Sequence, residues 1–162
     1  MQQDRQKILT VSVKRLMRRG ASSRLHKIVN KTHGADLSIL FRDLSLQDQR
    51  VLFDMIDDVE QKGILFSELD EDLFVELIDG MDPDEVVGIL DAMPNDDVAD
   101  LLNQLPDETA SGLLKRMEKE GSDEVEDLMR FDDDTAGGIM NPDFIALNQE
   151  ITAKAAIERI QK

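Results

Sequence analysis

From Leu65 to Met117 the chain repeats every twelve residues, and that period leaves few folds open. Apolar pairs fall at Leu65/Phe66, Leu77/Ile78, Ile89/Leu90, Leu101/Leu102 and Leu113/Leu114. A third apolar residue follows each pair, at Leu69, Met81, Met93, Leu105 and Met117. Within a unit the spacings are three and four, which places the apolar residues on one face of an α-helix. The breaks between units are Asp70-Glu71-Asp72, Asp82-Pro83-Asp84, Pro94-Asn95-Asp96-Asp97 and Pro106-Asp107-Glu108. These are helix-starting residues, an acidic or Asn cap with Pro at or near the first turn. A helix of about two turns does not hold its shape alone in water. Such units persist only by stacking their apolar faces into one continuous core, so the period predicts an all-α solenoid of short helices.

The same pattern extends upstream. Asp36 reads as the cap of a helix bearing Leu37, Leu40, Phe41 and Leu44, and Ser45 as the cap of the next, bearing Val51, Leu52, Phe53 and Ile56. Leu40 to Leu52 and Leu44 to Ile56 keep the twelve-residue step, with a one-residue slip near Gly63. After Met117 the unit looks irregular: Glu118 to Gly121 are polar, and Ser122 reads as the cap of a helix with Val125, Leu128 and Met129. The expected division is a basic helical segment over 1–33, the solenoid over 34–130 and a different tail over 131–162. In that tail Phe131-Asp132-Asp133-Asp134 is an acidic linker and Gly137-Gly138 permits a sharp bend. Phe144 to Leu147 is a strand candidate, and Ile151 and Thr152 open a helix with Ala155, Ala156 and Ile160. A lone strand has nothing to pair with, so the tail reads as the opening of an α/β or α+β domain and the chain as a truncated piece.

Charge narrows the function. The net charge is −16, but residues 1–33 hold nine Lys/Arg and one acid, whereas the rest holds ten Lys/Arg and 34 acids. The acidic body repels nucleic acid and anionic membrane and attracts cations, although carboxylates that merely solvate solenoid loops would give the same balance. In the basic segment Leu9, Val13, Leu16 and Met17 are helically spaced beside Lys14, Arg15, Arg18 and Arg19. Two readings stand: residues 1–20 lie on anionic lipid or an acidic partner, or they form a first helix that caps the solenoid. A second helix starts at a Ser22 or Ser23 cap and carries Leu25, Ile28 and Val29. The sequence has no cysteine, hence no disulfide or thiolate site. No apolar run approaches bilayer length. Nothing resembles a Ser-His-Asp arrangement, a phosphate-cradling glycine loop or an EF-hand, so the chain reads as no enzyme. His26 and His33 lack further ligands at metal spacing and read as surface or packing residues.

Arg130-Phe131-Asp132-Asp133-Asp134-Thr135-Ala136-Gly137-Gly138-Ile139-Met140-Asn141-Pro142 resembles the signature of the MgtE-type magnesium transporters. In that family the segment joins an N domain to the first of two CBS modules, so Ala136, Gly137, Gly138, Met140 and Pro142 would mark the junction. Phe144 to Ile160 is similar to that module's first strand and helix, and Leu37 to Met129 to the N domain, a right-handed superhelix of short helices. The resemblance covers roughly residues 20–162. It implies a Mg²⁺ sensor on the cytoplasmic face of a bacterial inner membrane, in a homodimeric protein whose CBS modules and transmembrane pore belong to the same longer chain. Asp96 and Asp100, four apart on one helix face, correspond to family residues that contact Mg²⁺. Asp97 is a weaker candidate. A further acidic ligand of the family falls where this register has Ile64: either the register slips at Gly63, or Glu60 or Glu68 substitutes, or that ligand is missing here. The competing reading is a protein-interaction scaffold with no metal response.

Overall fold

The computed structural model describes residues 2–131, 135–138, 140 and 147–160. Among them every regular element is a helix. In chain order these are α1 (Gln2–Arg18), α2 (Ser22–Val29), α3 (Gly34–Arg42), α4 (Leu46–Phe53), α5 (Val59–Ser67), α6 (Glu71–Ile78), α7 (Pro83–Leu90), α8 (Asn95–Asn103), α9 (Asp107–Leu114), α10 (Lys119–Leu128) and α11 (Ala153–Ile160). No helix among the described residues is long and apolar enough to cross a membrane. The strand candidate lies outside the described residues except for Leu147, which is in no strand. The helix after it forms as expected, with Thr152 Oγ1 accepting from the Ala155 N–H at 3.3 Å.

From α3 to α10 each helix begins twelve residues after the last, except for thirteen between α4 and α5. The slip is therefore real, but it sits in the turn between α4 and α5, ahead of Gly63. Side chains hold that longer turn. Asn30 Nδ2 donates to the Met55 carbonyl at 2.7 Å, and its Oδ1 accepts from the Asp57 N–H at 2.9 Å. Gln61 Nε2 donates to the carbonyls of Val29 and Thr32. Unpaired backbone groups in a tight bend are costly; Asn30 removes that cost within the turn, and Gln61 does the same for the carbonyls where α2 ends.

The principal packing skips one helix. α1, α3, α5, α7 and α9 stack as one row, while α2 packs on α4, α4 on α6, and α8 on α10. The structural repeat is thus a helix pair, twice the sequence period. Leu40, Leu52, Leu65, Leu77, Ile89, Leu101, Leu113 and Val125 occupy the same place in successive helices, and all are buried. Between α4 and α6 the core is aromatic: Phe53 and Phe66 stack with centroids 5.2 Å apart, and Phe74 meets Phe66 edge-on at 5.3 Å. Polar ties reach two or three helices along the chain. Arg42 of α3 grips Asp70, the residue that opens α6, with Nε–Oδ2 at 2.8 Å, and Lys62 of α5 pairs with Glu85 of α7 at 2.9 Å.

Four expectations need correction. Asp36 does not cap α3; His33 does, its ring nitrogen accepting from the Ala35 N–H, because the helix begins three residues earlier than expected, at Gly34. Neither Ser22 nor Ser23 caps α2, whose N-cap is Ala21 without a side-chain bond. Ser122 lies inside α10, which begins at Lys119 after Glu118. The unit after Met117 is accordingly regular, with Val125 twelve residues beyond Leu113. Finally, the breaks do not all use a side-chain cap. Asp82 accepts from the Asp84 N–H with Pro83 at N1, but Pro94 and Pro106 themselves occupy the N-caps of α8 and α9. The first helix caps the stack: Val13 is fully buried, and Leu9, Leu16 and Met17 pack against the core.

Tight packing makes two glycines behave oppositely. A Cβ on Gly34 would lie 2.8 Å from Ile64 Cγ2 and 2.9 Å from the Leu65 backbone nitrogen, whereas one on Gly112 meets nothing within 4 Å. Gly34→Ala is expected to destabilise by about 1–3 kcal/mol through overpacking. Gly112→Ala, in the exposed interior of α9, is expected to stabilise by about 0.5–1 kcal/mol through reduced unfolded-state entropy. Circular dichroism melts of the two variants check both signs, and a shared sign would contradict the packing described.

A candidate acidic site on α8

α8 starts without a side-chain cap, so its first N–H groups lean on nearby negative charge. Asp96 and Asp97 stand in that first turn, and Asn95, the residue expected to help cap it, is drawn away instead. Its Nδ2 donates to Glu124 Oε2 of α10 at 2.6 Å. This bond and the packing of α8 on α10 fix the helix against the end of the solenoid.

Asp96 and Asp100, one turn apart, face a narrow crevice whose other wall is Leu128 of α10 and Phe131, Gly138 and Met140 of the linker. Asp96 Oδ1 is buried there without a hydrogen-bond partner. Gly138 donates its N–H to Thr135 Oγ1 at 3.2 Å, and Gly137 lies so close beneath the Phe131 ring that no Cβ fits between them. These contacts fold the linker glycines back on Phe131, with Gly138 lining the crevice opposite α8. Ala136 is exposed, and Pro142 lies outside the described residues.

Asp97 turns to the other side and is half-buried. Its pKa is raised above 3.8, first by burial and then by the charges of Asp96, Asp100 and Glu68. Glu68 is the C-cap of α5, and α5 packs on α8. Their approach is tight because Gly63 faces Met93, where a Cβ would come within 2.6 Å of Cγ. Four of the five predicted carboxylates therefore form one electrostatic group. Glu60 does not join it: it occupies the first turn of α5, about 12 Å along the helix axis from Glu68. Ile64, exposed on the same helix, supplies no ligand. A second acidic contact was invisible in the sequence: Asp91, the C-cap of α7, has its pKa raised by burial and by Glu118. The histidines serve elsewhere, His33 as a cap and His26 in a 3.0 Å contact with Asp57 Oδ1.

Among the described residues no three His, Asp or Glu side chains converge to chelate a metal. The donors present are carboxylate oxygens, with one buried oxygen left unpartnered. That set fits a hard, still-hydrated cation held by one or two carboxylates, and does not fit a stripped chelate.

The raised pKa of Asp97 carries a stability consequence. Burial and like charge outweigh the favourable helix N-terminus, so ionised Asp97 costs stability at neutral pH. A raised carboxylate pKa gives its stabilisation below the unfolded value and loses it as pH rises through the folded value. Asp97→Asn is expected to raise the thermal midpoint at pH 7 by about 2 °C. The gain should shrink as pH falls through the raised folded value, where the parent carboxylate takes up its proton, and be gone below 3.8. Melts of both proteins across that range test this.

Comparison with known proteins places the fold. The family described as the MgtE intracellular N domain matches residues 32–134, well over half of the chain. No curated protein matches it. One similar solved structure is the soluble part of a magnesium transporter, at 19% identity and a TM-score of 0.80, covering 96% of this chain and 61% of that one. Another is the cytosolic domain of the Mg²⁺ channel MgtE in complex with ATP, at 23% identity and 0.85, covering 94% and 62%. The chain thus spans about three-fifths of those structures. With α3 to α10 inside the matched span, the chain belongs to the MgtE intracellular N-domain family.

Proposed function

We propose that this chain is the regulatory N-terminal part of a magnesium transporter or channel, responding to Mg²⁺ through the carboxylates of α8. The observation that carries the reading is the buried, unpartnered Asp96 Oδ1, placed with Asp100 in the crevice between α8 and the linker. An ion there supplies positive charge that relieves repulsion among Asp96, Asp97, Asp100 and Glu68. The rest belongs to this chain. Asn95, bonded to Glu124, and the packing of α5 and α10 hold α8 in place, and the linker glycines let the following segment approach its acidic face. A site shared with a following domain binds one arrangement better than another, which is what shifting a population requires.

In this reading the domain limits are 1–33, 34–130 and 131–162, and the stacked rows wind into a right-handed superhelix. The tail opens a CBS module, and further CBS modules and a transmembrane pore of the same longer protein complete the site. That protein is a homodimer at the cytoplasmic face of a bacterial inner membrane.

Thermal unfolding against MgCl₂, with NaCl at matched ionic strength, tests the ion response. For a dissociation constant on the order of 1 mM, about 10 mM Mg²⁺ adds about 1.4 kcal/mol and raises the midpoint by about 3–5 °C. Asp96→Asn/Asp100→Asn should abolish the difference between the two salts. If Mg²⁺ does no more than NaCl, the α8 carboxylates are merely screened, and the solenoid acts as an interaction scaffold.

A further inference from the structure

Most cations of the solenoid are used within it. Arg42, Lys62 and Arg116 pair with acids two or three helices away, Arg130 pairs with Asp127, and Arg50 donates to the carbonyls of Glu76 and Asp79. The seam between α1 and α2 is different. Arg15, Arg19, Arg24 and Lys27 are all exposed there, and among the described residues none has an ion-pair or hydrogen-bond partner. They rim an open groove of about 500 Å³ floored by Leu16 and Ile28, and no carboxylate lines it. In a chain with 35 acids, four neighbouring cations without a counter-charge await one from outside.

The same face carries exposed aliphatics. Ile8, Val11, Arg15 and Arg19 follow one another at spacings of three and four, which makes one stripe along α1. Ile8 and Val11 are 66% and 65% exposed, the highest values of any large apolar side chain among the described residues. The opposite side of α1 is occupied by core packing through Val13. Stacking therefore explains one side of this helix and leaves the other without a role.

We propose that this α1–α2 face docks on an anionic phospholipid surface. Arg15, Arg19, Arg24 and Lys27 meet headgroup phosphates while Ile8 and Val11 enter the interfacial layer. Scattered cations in line with bare aliphatics suit a leaflet, which offers phosphate everywhere and an apolar layer just beneath it. An acidic protein would have to place a carboxylate opposite each cation and would leave the aliphatics unexplained. The acidic body does not prevent contact, since charges more than about 8–10 Å away are screened at ordinary ionic strength. The proposal uses none of the α8 carboxylates and stands or falls separately from the Mg²⁺ response.

Vesicle co-sedimentation of the full 162-residue chain tests it, with phosphatidylcholine vesicles containing one-third phosphatidylglycerol against pure phosphatidylcholine. Binding is expected only to the anionic vesicles and should weaken as NaCl rises. Each cation near such a surface is worth about five-fold in affinity, so Arg15→Gln/Arg19→Gln/Arg24→Gln/Lys27→Gln should lose about 100-fold or more. Ile8→Asn/Val11→Asn should also weaken binding, with unchanged helicity by circular dichroism. Lys14→Gln/Arg18→Gln, on the other groove of α1 beside Asp43 and Asp48, should stay within about three-fold if the face rather than net charge decides. Equal binding to both vesicle types, no binding to anionic vesicles at low salt, or a quadruple variant that binds like the parent would overturn the proposal. So would capture by polyglutamate without capture by vesicles, which would assign the face to an acidic protein.

Discussion

No helix between α2 and α10 exceeds ten residues, so none can hold its own backbone in order, and the molecule depends on each apolar stripe being covered by neighbours. The covering helix is mostly the one two places along the chain. This single requirement explains why the side-chain ties have the reach they do. Arg42 to Asp70, Lys62 to Glu85 and Asn95 to Glu124 each tie one helix to another two or three places on. It also explains why the thirteen-residue step needs special support. An extra residue in one turn would throw two rows out of register, and Asn30 absorbs it by bonding the turn backbone at Met55 and Asp57, while Gln61 just beyond the turn ties the start of α5 to the end of α2.

Charge is arranged against this frame rather than within it. Exposed ion pairs each contribute little, about 0–1 kcal/mol, so the ties specify which helix meets which more than they hold the stack together. The instructive groups are those left unpaired. Around α8 the fold sets Asp97 among Asp96, Asp100 and Glu68 and buries an oxygen of Asp96 without a donor. Residues in such arrangements cost stability, and they persist where another condition, such as a cation, relieves the cost. At the α1–α2 seam the imbalance has the opposite sign and is fully exposed, so it costs little and marks a surface instead.

The repeat was legible because period and apolarity agree over many units: Leu65 through Leu113 gave the helix positions and the core, and Leu40 and Leu52 the upstream units. Caps were less legible, since a cap depends on backbone angles at one residue. Pro94 and Pro106 adopt the extended N-cap conformation themselves, and His33 takes the place that Asp36 seemed to offer. The last unit was misjudged because polar Lys119 to Ser122 hide a helix whose only contribution to the core is Val125, Leu128 and Met129. At the site, the Asp96 and Asp100 pair follows from helical spacing, whereas the approach of Glu68 follows from the packing of α5 on α8. That packing is a tertiary fact, and its sequence trace is one small residue, Gly63, opposite Met93.

The two charged regions lie at opposite ends of a structure whose parts meet only near neighbours. In such an array stability is close to a sum of unit and interface terms, so a change at one end reaches the other only through intervening interfaces, here α1 on α3, α3 on α5 and α5 on α8. α1 and α2 pack on α3 and α4, α3 packs on α5, and α8 packs on α5 and α10, with no strong packing directly between α1 or α2 and α8. Substitutions in the α1–α2 cations should therefore leave the Asp97 titration where it is, as expected for distant sites without shared partners. An ion response that did depend on Arg15 or Arg24 would require the whole stack to shift as one body. That would make the solenoid a lever between a surface and an ion, and not merely a spacer that carries both.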